Sequence, residues 1–270
     1  MRGLRRHAKP ADLVATAPRL PRICYVHIPK SAGTYLRQVL QRGYPSSEVC
    51  DFLFQGDFMR AAPSEYMEKR LFSAHVGYDF AKTLQADLIT VLRNPFDRVL
   101  SLYYYWKEVE GAPEVVQSMY LDEFLGSQNP VVTENVHNVQ AWQLAFGHMT
   151  SIRRRHQDVS DDELLSRAIG NLDQFAIAGI YEQLGSVTRK IEERYGIKAP
   201  SESSRVNKTN SRPSLDQTPV AILEKIYARN AVDVALYDHV VRTCLAETAL
   251  KPSGTNAPAE HGAAPHTNRT

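Results

Sequence analysis

Three side chains that can bind anions or accept protons follow short apolar runs in this sequence: Lys30, His75 and Arg93. Lysine and arginine bind negatively charged oxygens, and a neutral imidazole can accept a proton, because its ordinary pKa is about 6.5. Each apolar run is typical of a buried strand. The three residues are therefore predicted at the carboxyl ends of strands, which is the edge where open α/β sheets bind ligands.

The first of these regions is predicted to fold as a strand, a tight loop and a helix. An apolar, partly β-branched run is formed by Ile23, Tyr25, Val26 and Ile28, and from Thr34 onward apolar residues recur at helical spacing. The loop between them consists of a lysine and small residues: Lys30, Ser31, Ala32 and Gly33. Backbone N–H groups at the start of a partly buried helix favour an anion by up to about 2 kcal/mol, and Lys30 adds a full charge.

The order of residues in this loop differs from the common nucleotide-binding loop, in which lysine follows the last glycine. Here Lys30 precedes Gly33, and the segment HIPKSAGT resembles the 5′-phosphosulfate loop of sulfotransferases. These enzymes transfer a sulfuryl group from 3′-phosphoadenosine 5′-phosphosulfate. The resemblance implies a catalytic role for Lys30 and a set of residues that bind this co-substrate: Lys30, Ser31, Ala32, Gly33, Thr34 and Tyr35.

A second motif, LITVLRNPFDRVLSLYYYW, begins with the clearest strand in the sequence, residues 88–92. Asn94 is a plausible N-cap, and Pro95 suits the first position of a helix. The run resembles the 3′-phosphate motif of sulfotransferases, which implies that Arg93 and Ser101 bind that phosphate. Arginine supplies a bidentate fork for phosphate oxygens, and serine donates one more hydrogen bond. Arg98 is interpreted as a solvated or ion-paired side chain, and most of the aromatic run 103–106 as core.

The segment around His75, SAHVGYDFAK, resembles the region of the proposed catalytic base in the heparan sulfate 2-O-sulfotransferases. The resemblance implies that His75 is the general base. Those enzymes carry a further histidine two residues earlier, where this chain has Ser73. A lone histidine is otherwise most often structural, hydrogen-bonded to a neighbouring backbone group.

Two further segments match the family by position. The basic loop 205–213 is either solvated or, as the resemblance implies, closes over the nucleotide, so that Lys208 or Arg212 contacts the 3′-phosphate. Residues 138–140 match an Asn-x-Gln helix, which is expected to border the acceptor cleft. Ser160 and Glu163 form a capping box at the start of another helix.

Composition limits the alternatives. With 270 residues, 43% of them hydrophobic, the chain can form one sizeable core, and its net charge of +2 gives no argument for nucleic acid. Its three cysteines are widely separated, at positions 24, 50 and 244, which predicts neither a disulfide framework nor a metal site and favours a reducing compartment.

The predicted organisation is a flexible basic tail over 1–21, one domain over 22–248 and a disordered tail over 249–270. No membrane span is predicted, and an organellar presequence stays open for the first tail.

The expected fold is a single α/β domain, a P-loop-like doubly wound parallel sheet flanked by helices. The resemblance implies sulfuryl transfer to a hydroxyl, most closely like the carbohydrate sulfotransferases. The acceptor is then a saccharide, a glycoconjugate or a small molecule, and no metal is needed. A cytoplasmic location is expected, and the oligomeric state is left open.

Two other classes remain at this point. A P-loop kinase-like phosphotransferase would need a lysine after the glycine and an acidic residue for Mg²⁺. A non-catalytic nucleotide-binding module would keep the phosphate loops without a base.

Overall fold

The computed structural model describes residues 19–147, 158–200 and 212–250, with no side-chain detail for 247–250. Most of both predicted tails therefore lies outside the described residues. The strands are β1 (Ile23–Val26), β2 (Leu71–Ala74), β3 (Asp87–Leu92) and β4 (Phe175–Ile180). They form a parallel sheet in the order β2-β1-β3-β4.

Helices connect the strands. In chain order they are α1 (Gly33–Gln41), α2 (Gln55–Arg60), α3 (Tyr78–Ala81), α4 (Pro95–Glu108), α5 (Glu114–Gln117), α6 (Leu121–Gly126), α7 (Pro130–Val136), α8 (Val139–Ala145), α9 (Asp161–Leu172), α10 (Leu184–Tyr195) and α11 (Val220–Leu250). The α11 helix kinks at the buried Asn230, whose backbone leaves helical geometry. The predicted capping of α4 by Asn94 and of α9 by Ser160 is present as side-chain hydrogen bonds.

Alternate residues of the strands enter two different cores, which explains the short continuous apolar runs in the sequence. Cys24 and Val26 of β1 pack in one core, beneath α8, α9 and α11. Ile23 and Tyr25 pack in the other, beneath α1 and α10. Both faces of the sheet are thus covered by helices, and the predicted doubly wound α/β fold with a parallel sheet is confirmed.

Two local predictions differ from the structure. Arg98 is not solvated: it has no exposed surface, and its guanidinium donates to the carbonyl oxygens of Asn135 and Val136, both at 3.2 Å. Burial lowers the pKa of Arg98 to about 10, while the nearby carboxylate of Asp233 acts in the opposite direction. The Asn-x-Gln helix expected at 138–140 begins only at Val139, because Asn138, which lies between α7 and α8, has a left-handed φ of 46°.

Within the described parts of the chain, no helix has the length and apolarity that crossing a bilayer requires.

Candidate active site

The loops after β1, β2 and β3 meet at the carboxyl edge of the sheet. The β1 loop carries Lys30, His75 directly follows β2, and Arg93 directly follows β3. Arg93 spans two of these loops, because its Nη1 donates to the carbonyl oxygen of Lys30 at 3.0 Å. The fold therefore brings two of the predicted anion-binding residues together, with the predicted base on the neighbouring strand end.

The loop after β1 is held tightly. Ser31 is fully buried, and its carbonyl oxygen accepts a hydrogen bond from the hydroxyl of Tyr25 at 3.1 Å. Lys30 and Ala32 adopt positive φ angles of 68° and 63°, a left-handed conformation that costs about 1–3 kcal/mol for a residue other than glycine. Such strain occurs preferentially at ligand-binding loops.

The start of α1 leaves backbone donors at the same place. Ala32 is the N-cap, and its side chain offers no capping hydrogen bond. The first helical bond joins the N–H of Leu36 to the carbonyl of Ala32. The N–H groups of Gly33, Thr34 and Tyr35 consequently have no partner within the helix and, together with the helix dipole, favour an anion.

The side chain of Lys30 lies on an aromatic ring that the sequence did not single out. Its Nζ is 3.6 Å from the ring centroid of Tyr105 on α4, and this tyrosine is 38% exposed rather than part of the core. Burial, followed by the charges of Arg93 and Arg212, lowers the pKa of Lys30 to about 8. Lys30 is thus a cation in an environment that disfavours its charge, which an anion would stabilise.

The guanidinium of Arg93 is buried between several partners. It lies 4.3 Å from the ring centroid of Tyr181, and its Nη2 is 3.7 Å from the carboxylate of Asp97. Asp97 in turn accepts a 2.9 Å hydrogen bond from Arg212. Burial lowers the pKa of Arg93, and Asp97 opposes that effect. Arg93 and Arg212 therefore share the carboxylate of Asp97, and the charges of both arginines act on Lys30.

Of the other predicted 3′-phosphate ligands, Ser101 is buried on α4, two helical turns beyond Arg93. Lys208 lies outside the described residues. Two buried polar atoms in this region, Ser31 Oγ and Arg93 Nε, have no hydrogen-bond partner among the described residues. Buried polar atoms are ordinarily satisfied, so a bound anion with several oxygen acceptors fits the donors that this region presents.

His75 is part-buried beside this cluster. Its Nδ1 is 2.9 Å from the carbonyl oxygen of His27, an acceptor, so Nδ1 carries the proton and Nε2 is the basic nitrogen. Burial lowers the pKa of His75 below its ordinary 6.5, and the His27 carbonyl acts weakly the other way. The amide of Gln143 also donates to this carbonyl, at 3.0 Å, and fixes its position.

The Asn-x-Gln segment has a different role from the predicted one. Asn138 and Gln140 are 3% and 0% exposed, so their side chains do not border a cleft. The Gln140 amide instead accepts from the N–H of Arg93 and donates to its carbonyl, both at 2.9 Å. Asp233 of α11 accepts hydrogen bonds from the N–H groups of Gln140 and Ala141, at 3.1 and 2.8 Å.

These positioning contacts were missed because they join residues far apart in the chain. The i, i+2 spacing of Asn138 and Gln140 was visible, but not the partner of either side chain. Across the described ranges, no group of three or more His, Cys, Asp or Glu residues is placed to hold a metal ion.

Comparison with known proteins gives one family. A family model described as the sulfotransferase family matches residues 14–239. No curated protein matches the sequence. Among solved structures, a crystal structure of the mouse sulfotransferase SULT7A1 complexed with PAP matches at 15% sequence identity and a TM-score of 0.37, covering 84% of this chain and 88% of that chain.

Proposed function

The chain belongs to the sulfotransferase family, and from this premise we propose that it moves a sulfuryl group from 3′-phosphoadenosine 5′-phosphosulfate to an acceptor hydroxyl. The observation that carries the proposal is the contact between Arg93 Nη1 and the carbonyl of Lys30, which joins the two phosphate motifs of the sequence at one edge of the sheet. A cation cluster of this kind suits a ligand with phosphate groups at two positions.

The residues are assigned to the two ends of the co-substrate. The loop of Lys30, Ser31, Ala32, Gly33, Thr34 and Tyr35 binds the phosphosulfate through the Lys30 ammonium, the Ser31 hydroxyl and the N–H groups of Gly33, Thr34 and Tyr35. Arg93 and Ser101 bind the 3′-phosphate. Arg212 contributes there as well, because its partner Asp97 is shared with Arg93. Lys208 is kept as a second candidate from the same loop.

The proposed reaction needs one base and one cation. Nε2 of His75 takes the proton of the acceptor hydroxyl while the oxygen forms a bond to sulfur. The bond from sulfur to the bridging phosphate oxygen breaks, and Lys30 stabilises the charge that develops on this oxygen. The products are a sulfate ester and adenosine 3′,5′-bisphosphate, with the proton on His75.

The acceptor is proposed to be a hydroxyl of a carbohydrate or glycoconjugate. Support comes from the resemblance of the His75 segment to the heparan sulfate 2-O-sulfotransferases. A cytoplasmic location is proposed with it, supported by the spacing of the cysteines.

The test is release of labelled sulfate from the donor, with water as a weak acceptor, followed by transfer to a panel of saccharides. His75→Ala is expected to abolish turnover and to leave donor affinity near that of the parent. Lys30→Ala is expected to lose turnover and donor affinity together, because Lys30 also contacts the donor. His239→Ala and Lys225→Ala on α11 are the matched controls.

A His75→Ala protein with parental turnover would contradict the assignment of the base. In that case Tyr78 and Asp79, which follow on α3, become the next candidates. A parent protein that binds no adenosine 3′,5′-bisphosphate would contradict the choice of donor.

A further inference from the structure

The ring of His75 lies between two other rings because of the register of the sheet. β1 and β2 pair with Val26 opposite Ala74, so the next residues along, His27 and His75, occupy matching positions on neighbouring strand ends. On the other side of His75, Phe54 forms a parallel bridge with it. Hydrogen bonds hold this outer segment in place: the N–H of His75 donates to Leu53 at 2.7 Å, and the N–H of Gln55 donates to His75 at 3.2 Å.

All three rings are stacked. The centroids of His27 and His75 are 4.0 Å apart with 30° between the planes, and those of Phe54 and His75 are 5.4 Å apart with 25°. On its far side His27 stacks with Tyr25 at 5.5 Å and 17°. Tyr25, His27, His75 and Phe54 form a continuous series, called here the ring row. It runs from a fully buried tyrosine to a phenylalanine that is 53% exposed.

The ring row also touches the loop proposed to bind the donor. A Cβ atom at Gly33 would lie 1.6 Å from Nε2 of His27, so a larger residue at this position would displace the ring of His27. The φ of Gly33 does not itself favour glycine, because positive φ angles in this loop occur at Lys30 and Ala32 instead.

Resting on the proposed function, we propose that His27 and Phe54 are positioning residues for His75. Their rings hold the imidazole plane from both sides, while the main-chain carbonyl of His27 holds the proton on Nδ1. Rotation of the ring about its χ angles would break either the stack or the 2.9 Å hydrogen bond. The basic Nε2 is consequently presented in one orientation. His27 supplies a second imidazole beside the base, but from the loop after β1 and not from the position of Ser73.

Two carboxylates on the helices next to His75 have partners of their own among the described residues. The carboxylate of Asp57, on α2, accepts hydrogen bonds from the N–H groups of Leu53 and Phe54 and pairs with Arg60. The carboxylate of Asp79, on α3, pairs with Lys82 and lies 4.0 Å from Arg167. Among the described residues, His27 has a titratable ring stacked on His75, and the depressed pKa of His75 is caused mainly by burial.

The test measures the His75 imidazole directly. Two-dimensional ¹H–¹⁵N spectra of the imidazole nitrogens give the tautomer and the titration midpoint, and they require no donor. The variants are His27→Ala, which removes a ring, His27→Phe, which keeps one, and Phe54→Ala, which removes the exposed ring with little risk to folding. His239→Ala is the control.

Removing either ring admits water to His75, so its titration midpoint is expected to rise toward 6.5 in His27→Ala and in Phe54→Ala. His27→Phe is expected to keep the midpoint and the Nδ1–H tautomer of the parent. In turnover, kcat is expected to fall about tenfold or more in His27→Ala, through loss of a positioned base, and to stay within about threefold in His27→Phe.

The proposal is overturned if both ring-removing variants keep the parental midpoint and tautomer. It is also overturned if His27→Phe loses as much turnover as His27→Ala, since the imidazole nitrogens, and not the ring, would then matter. If the parent shows no sulfuryl transfer, the proposed function fails, while the titrations still decide whether the ring row positions His75.

Discussion

Arg93 donates a hydrogen bond from Nη1 to the carbonyl oxygen of Lys30 at 3.0 Å, and Gln140 brackets the backbone of the same arginine with two bonds of 2.9 Å. One arginine thus connects the loop after β1, the end of β3 and the start of α8. These contacts fix the position of Arg93 before any ligand binds. Preorganisation of this kind reduces the entropy lost on binding.

Replacement of Arg93 by alanine is expected to weaken binding of adenosine 3′,5′-bisphosphate by about 1.5–3 kcal/mol, the usual loss for a charge-assisted hydrogen bond. Because Arg93 also supports the Lys30 loop, adenosine 5′-phosphate is the reference ligand. The difference in binding free energy between the two nucleotides, measured by calorimetry, is expected to become smaller in Arg93→Ala. Arg189→Ala, an exposed arginine on α10, is the control. An unchanged difference would contradict the assignment of Arg93 to the 3′-phosphate site.

The pH dependence of kcat/KM is expected to be bell-shaped. His75 must be neutral to act as a base, and burial lowers its pKa below 6.5. Activity is therefore expected to stay high as the pH falls to 6.5 and to decline only at lower pH. Lys30 must be protonated, and its pKa of about 8 in the free enzyme sets the alkaline limb. Activity therefore declines as the pH rises through 8. Lys30→Arg should move the alkaline limb to higher pH, and an unmoved limb would show that another group titrates there.

EDTA is expected to leave turnover intact. A transferring sulfuryl group carries less negative charge than a phosphoryl group, and the cations of the site (Lys30, Arg93 and Arg212) supply the stabilisation that Mg²⁺ provides in kinases. Turnover after dialysis against EDTA, with and without added Mg²⁺, is the measurement. A strict requirement for Mg²⁺ would favour phosphoryl transfer.

Much of the fold followed from the sequence because apolar runs and turn residues carry local information. Residues 88–92 and the Asn94-Pro95 helix start were located correctly, since a buried strand and an N-cap are each specified by neighbouring residues. The contact of Lys30 with Tyr105 and the bond from Arg93 to Lys30 join residues more than 60 positions apart. Such contacts depend on the order of the strands in the sheet, and no local sequence pattern specifies that order.

The burial of Arg98 could not be predicted from the sequence for the same reason. An arginine among apolar residues on a helix is usually at the surface, because burying its charge is costly. Here the carbonyl oxygens of Asn135 and Val136, with the charge of Asp233, compensate for that cost. All three lie on other helices and could not be paired with Arg98 from spacing alone.

Loss of Asp233 is therefore expected to be severe. Asp233→Ala leaves the N–H groups of Gln140 and Ala141 without an acceptor and removes the carboxylate that acts on the buried Arg98, at a cost of about 1–3 kcal/mol in the free energy of unfolding for each unsatisfied group. Urea denaturation gives the value. Asp238→Ala, at an exposed position of the same helix, should change stability by no more than about 0.5 kcal/mol. Equal effects at the two positions would contradict the compensation described here.

In the strained loop after β1, one substitution is expected to raise the free energy of unfolding. Ala32→Gly removes a side chain from a left-handed residue and is expected to raise the free energy of unfolding by up to about 1 kcal/mol. Ala228→Gly, at an exposed position inside α11, should lower it by about 1 kcal/mol, because glycine disfavours a helix. A destabilising Ala32→Gly would mean that the conformation of the loop is not strained.

We propose that the site binds a nucleotide with both a 3′-phosphate and a 5′-phosphate. The most direct test is a calorimetric comparison of adenosine 3′,5′-bisphosphate with ATP in the presence of Mg²⁺, on the full chain. Tighter binding of the bisphosphate, lost in Arg93→Ala, is the expected result. Preference for ATP with Mg²⁺ would contradict the account.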